Sequence, residues 1–181
     1  MKKILSFCLA AVILFSFFGC NETMTPAEKF LLATKEWNVE GMKKELVADM
    51  SLHSLYTRLD TKLNEDEKQT MQKLYGMMQY TIGEQSLEKG MKSVEITLKV
   101  PDFKRIKELS ATKILVFAEA AETIVSNMIA DGSIEKSLMT EKTISVKMVE
   151  KDGAFLIPYA ENAEFFENLF LSEMLNFIST N

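Results

Sequence analysis

Side chains able to do chemistry are sparse and scattered along this chain of 181 residues. The single histidine, His53, has the intrinsic pKa of a general base at neutral pH. It stands beside Leu52 and Leu55, and no serine or cysteine elbow signal accompanies it. A solvent-facing or capping role is the plainer reading. Asp60, Asn64 and Asp66 invite comparison with a calcium loop, but the sharp-turn glycine and the closing bidentate glutamate are misplaced. A turn followed by a helix cap accounts for them. The glycines are dispersed, without the run that cradles a phosphate. Glu161, Glu164, Glu167 and Glu173 form an acidic face that is most simply solvated. The residue inventory therefore predicts no catalytic residue, no metal and no cofactor.

The two cysteines, Cys8 and Cys20, lie in or at the end of an N-terminal stretch of a different kind. Lys2 and Lys3 precede an apolar run, Ile4 to Phe18, broken by Ser6 and Ser16, and Gly19-Cys20 closes it before polar Asn21-Glu22-Thr23. A basic head, an apolar stretch and a small residue at the cut predict a secretory signal over residues 1–19. The run is shorter than the about 20 residues a spanning helix needs. Phe17-Phe18-Gly19-Cys20 resembles a bacterial lipobox, in which the cysteine is lipidated and becomes the first residue of the mature chain. The resemblance implies a lipid on Cys20, a tether over residues 20–24, and a chain held to a membrane of the bacterial cell envelope, on the outer side of the cytoplasmic membrane.

Removing residues 1–19 takes Lys2, Lys3 and Cys8 away, leaving 19 basic against 26 acidic residues, a net charge of −7. That sign disfavours nucleic acid and gives no overall pull toward anionic lipid. The acyl chains must supply the anchor, and two or more of them hold where one is marginal. With Cys20 lipidated, no thiol remains for a disulfide, a nucleophile or a metal, and one histidine cannot supply a His pair.

The elements that would position any site follow from caps and periodicity. Thr25-Pro26-Ala27-Glu28 reads as a capping box with proline at the first helical position, opening a helix that carries Phe30 and Leu31 toward Trp37. Asn38 caps a second helix with Met42 and Leu46 on its inner face, and Ser51 opens a short third one. Asn64 with Glu67 repeats the capping box, starting a helix through Met71, Leu74, Tyr75 and Met78. The period then becomes two. Val94, Ile96, Leu98 and Val100 alternate with polar residues, and Tyr80 and Ile82 begin a partner strand across Lys89-Gly90. After Pro101, with Asp102 as cap, one long helix is expected from Phe103 to the stop at Gly132, kinked near Ser110-Ala111-Thr112. Asp152-Gly153 turns a second strand pair spanning Thr143 to Tyr159, and Asn162 opens a last helix. The expectation is a single α+β domain over residues 25–178, a curved antiparallel sheet of two hairpins packed on several helices.

This order resembles the nuclear-transport-factor-two-like family, and within it bacterial lipoproteins. The resemblance rests on the turn Trp37-Asn38-Val39-Glu40-Gly41-Met42-Lys43-Lys44, on Tyr80-Thr81-Ile82 ahead of the Val94–Val100 strand, and on Lys151-Asp152-Gly153-Ala154-Phe155-Leu156-Ile157-Pro158. It implies a cone-like sheet wrapped round helices, with a pocket at its open end. Some members of that fold are isomerases or dehydratases.

Within such a cone, Tyr80, Phe155 and Tyr159 would line the concave side with Trp37 covering them. They are either core or the lining of a pocket for an apolar or amphipathic ligand. In the last helix Phe165, Phe166, Leu169, Phe170, Leu171, Met174, Leu175, Phe177 and Ile178 spread round most of the circumference. Such a helix is either buried on nearly all sides or partly a docking face, with Phe166, Phe170 and Phe177 as candidate contacts for a surface protein. The 12 methionines suit a pliable interior or an adaptable surface. Two function classes stay open: a non-catalytic binding or interaction module, and a small pocket enzyme of the isomerase or dehydratase kind, which needs an Asp or Glu in an apolar pocket. Glu84, Glu88, Glu95 and Glu150 sit at strand ends or on polar faces, which favours binding.

Overall fold

The computed structural model describes residues 24–48, 57, 61, 63–169 and 171–178. Cys20, His53, Asp60 and Phe170, and most of the segment opened by Ser51, lie outside the described residues.

Helix α1 (Pro26–Lys35) starts at the expected capping box: Glu28 N donates to Thr25 Oγ1 at 3.2 Å and Thr25 N donates to Glu28 Oε2 at 2.7 Å. It buries Phe30, Leu31 and Thr34, whose hydroxyl donates back to Phe30 O. Asn38 then caps α2 (Val39–Lys44), accepting from Gly41 N at 2.9 Å. The second capping box, Asn64 with Glu67, opens α3 (Glu65–Gly76).

Four strands form one open antiparallel sheet in the order β1 (Gln79–Glu88), β2 (Met91–Pro101), β3 (Met139–Lys151), β4 (Ala154–Leu156). Both hairpin turns have two consecutive residues at positive φ, Lys89-Gly90 and Asp152-Gly153, which matches the right-handed twist of the strands they join. Val94 and Ile96 pair with Val146 and Ile144, so one face carries the core and the other, with Glu95, Ser145 and Lys147, meets water. The β1–β2 register shifts between Ile82 and Gln85. A bulge there bends the edge strand, and Gly83 allows it: a Cβ at that position would lie 3.3 Å from the Glu95 backbone. The mixed α+β class and its antiparallel sheet are as the sequence predicts.

Two expected elements are different. The long helix after Asp102 is a helical hairpin, α4 (Phe103–Phe117) and α5 (Ala121–Ala130), reversed at Ala118, where φ is +52°. Ser110 Oγ lies 3.9 Å from Met128 Sδ. A continuous helix would put those residues about 27 Å apart. Folding back lets Ile106 and Ser110 share a core with Ile124, Val125 and Met128, which a straight rod running past the sheet would leave in water. Helix α4 runs unbroken through Ser110, whose hydroxyl donates to Ile106 O at 2.7 Å. The reversal leaves Leu115, Val116 and Phe117 exposed at its tip.

The second difference is at the end of the sheet. Strand β4 stops at Leu156, and Tyr159 belongs to no strand. Ile157 instead makes a parallel bridge to Leu46: Val47 N donates to Ile157 O at 3.0 Å and Ile157 N to Glu45 O at 2.9 Å. The segment after α2 thus takes the hydrogen bonds a longer β4 would have needed, and Pro158 cannot donate.

Beyond β4, Asn162 is a strand clamp rather than the opening cap of a helix. Lys147 N donates to its Oδ1 at 2.7 Å, and its Nδ2 donates to Lys147 O at 2.9 Å and to Pro158 O at 2.7 Å. The side-chain amide stands in for the missing neighbour strand on the β3 edge. A 3-10 turn (Ala160–Asn162) leads into α7 (Ala163–Leu169) and α8 (Leu171–Ile178). Gly132, at positive φ, ends the α5 turn and leads into α6 (Ser133–Ser137), a short helix returning the chain to β3. Phe30, Phe165 and Phe166 meet with ring centroids 5.3–5.8 Å apart, joining α1 to α7 at the centre.

Candidate functional site

Of the aromatic residues expected to line one pocket, the strand pair Tyr80 and Phe155 lies far apart. Tyr80 pairs across β1–β2 with Leu98, which pairs with Lys142, whereas Phe155 pairs with Glu150. They occupy opposite edges of the sheet, eight positions apart along β3, or about 26 Å. Trp37 stacks against Tyr75, with ring centroids at 5.4 Å, and Tyr159 packs on Phe166 at 5.2 Å. Trp37, Tyr80 and Phe155 are half-buried against the core, and Tyr159 is exposed. In the terminal helices Phe166 is buried and Phe177 is half-buried against Phe103, with centroids at 5.6 Å.

Burial pushes the Tyr80 phenol above its ordinary 10.0, and the charges of Glu28 and Glu36 push the same way, so it stays neutral. Glu28 is held in the α1 capping box and Glu36 is exposed. Buried polar side chains elsewhere also have structural partners. The buried carboxylate, Glu67, accepts from Asn64 N at 2.7 Å, Thr70 donates to Glu122 at 2.7 Å, and Asn168 donates to Glu164 O at 2.7 Å.

A recess of about 230 Å³ lies at the elbow between α1 and α2. Its apolar wall is Met24, Leu32 and Ala33, and its polar groups are Lys29, Glu36, Asn38, Lys44 and Glu45. The elbow is made by Trp37, in the left-handed region at φ +56°, and by the Asn38 cap that follows it. Gly41 lets the helices close on each other, since a Cβ there would meet Ala33 Cβ and Asn38 Cγ at 3.0 Å. Burial pushes the Glu45 carboxyl above its ordinary 4.5, while Lys29 and Lys44 pull it back. This gathering has no signature in the sequence, where the same residues read as the wet faces of two helices. Gly41 within the turn is the signal that could have flagged it, because it marks a close helix approach.

Among the described residues no group of His, Cys, Asp or Glu is placed to hold a metal ion, and no helix is long and apolar enough to cross a membrane.

No family model matches the chain. The nuclear-transport-factor-two-like resemblance thus has no support from a family match. No curated protein matches it significantly either. Among solved structures, the chain is similar to a Bacillus subtilis protein, ycdA, described as a candidate lipoprotein. Identity is 21%, the TM-score is 0.36, and the match covers 92% of this chain. The chain spans 59% of the length of that protein's chain.

Proposed function

We propose that the chain is a lipoprotein of the bacterial envelope, held to a membrane by lipid on Cys20, whose folded part binds rather than reacts. The anchor reading comes from Lys2-Lys3, the Ile4–Phe18 run and Gly19-Cys20 ahead of a polar tether. The binding reading is supported by one observation above the rest. The charged side chains that gather at a recess do so beside Met24, where the tether enters the fold, and not in a closed apolar cavity. Isomerases and dehydratases of the pocket type need a carboxylate desolvated among apolar groups. Glu45 is the carboxyl that burial pushes up, yet Lys29 and Lys44 act on it in the opposite sense.

Metabolic labelling with a radioactive fatty acid, followed by fractionation, tests this reading. The wild type is expected to carry label and sediment with membranes, and Cys20→Ala to accumulate as unlabelled precursor. A Cys20→Ala protein processed and sedimenting as the wild type does would overturn the anchor. Turnover of a small substrate that vanishes in Glu45→Gln would overturn the non-catalytic part.

A further inference from the structure

We propose that the recess between α1 and α2 seats a zwitterionic phospholipid headgroup, a phosphodiester bearing a primary ammonium, presented by the membrane that holds the Cys20 lipid. The inference rests on the lipid-anchor reading above and adds what the anchored face recognises.

Chain length limits where the recess can be. Met24 lines it and lies four residues from Cys20. Four extended residues span at most about 14 Å. The headgroup region on each side of a bilayer is roughly 5–8 Å thick. A lipid on Cys20 therefore keeps Met24, at the edge of the recess, within about 14 Å of the bilayer surface.

The charges then select the chemistry. Lys29 and Lys44 supply cations, Glu36 and Glu45 anions, and Asn38 an amide. The ion pairs among the described residues lie elsewhere, joining Lys43 to Glu40 and Lys68 to Glu65. A simple anion would meet the two carboxylates, and a simple amine would meet the two ammonium groups. A ligand carrying both signs answers both, its phosphate meeting the lysines and its ammonium the carboxylates. Met24, Leu32 and Ala33 offer contact to the carbons between them. The volume of about 230 Å³ leaves room for one headgroup. Burial of Glu45 adds to the match, since an ammonium beside it offsets the desolvation that now raises its pKa.

The single tryptophan gives a nearby readout, because Trp37 stands between the lining residues Glu36 and Asn38, with its ring against Tyr75. Full-chain protein in maltoside micelles is titrated with glycerophosphoethanolamine while Trp37 emission is followed. A saturable change is expected, half-complete on the order of 1 mM. Glycerol phosphate and ethanolamine, which each carry one sign of charge, should bind at least tenfold more weakly. Lys29→Gln, Lys44→Gln and Glu45→Gln should each weaken the response with unchanged far-ultraviolet circular dichroism. In vesicles, the emission change should appear with phosphatidylethanolamine in the bilayer and be absent with phosphatidylcholine alone. No saturable response, an equal response to glycerol phosphate, or a response unaltered in the three variants would overturn the site. Lipid-labelled Cys20 without a response rejects the headgroup site and leaves the anchor standing. A response in wild-type protein whose Cys20 proves to carry no lipid leaves the recess standing and refutes the anchor that presents it to the membrane.

Discussion

Replacing Asn162 by alanine removes a clamp that ties the end of the sheet to the start of the terminal helices. Three hydrogen bonds at 2.7–2.9 Å go with it, and Asn162 is only 3% exposed. At a net value of about 1 kcal/mol each, the loss is about 3 kcal/mol. For a domain of this size that lowers the melting midpoint by roughly 6–12 °C. Urea and thermal denaturation of wild type and Asn162→Ala measure it. Asn162→Asp is the sharper companion. Its carboxylate can still accept from Lys147 N, but it faces Lys147 O and Pro158 O with no donor at neutral pH. The loss should be at least as large there and should shrink as pH falls, because the protonated acid regains one donor. A change below about 0.5 kcal/mol in Asn162→Ala would show that water replaces the amide and would refute the clamp.

Further outcomes follow from single contacts. Tyr75→Phe deletes the hydroxyl that donates to Leu169 O at 2.6 Å in a buried setting, so denaturation should show a loss of about 1–1.5 kcal/mol. Phe165→Ala opens the Phe30–Phe165–Phe166 cluster and should cost about 3–5 kcal/mol by the same measurement. The Glu45 carboxyl is raised by burial, so the folded state holds its proton more tightly than the unfolded one. Its contribution is fully present below 4.5 and is lost as pH rises through the raised value. Glu45→Gln should flatten the stability profile in that window, which pH-resolved melting curves would record.

Local signals were the legible ones. The capping boxes at Thr25 and Asn64, the caps at Asn38 and Asp102 and the two positive-φ turns need only neighbouring residues, and each is where the sequence puts it. The alternation from Val94 to Val100 set the inward face of β2 for the same reason. What failed depended on distant partners. The helical period continues past Phe117, and only the packing of Ser110 against Met128 shows that the chain has turned back. Strand β4 ends early because Leu46 and Asn162 occupy its place. Tyr80, Phe155 and Tyr159 look alike on paper, but register puts the first two at opposite edges and the third on a turn. The recess was invisible because Lys29 and Lys44 come from different helices.

Tethering of the domain by lipid a few residues ahead of its first helix is tested by the intact mass of the protein purified from membranes. A polypeptide beginning at Cys20 is expected, heavier than residues 20–181 by a diacylglyceryl group with or without a further acyl chain. A chain retaining residues 1–19, one beginning at another residue, or one carrying an unmodified Cys20 would contradict it.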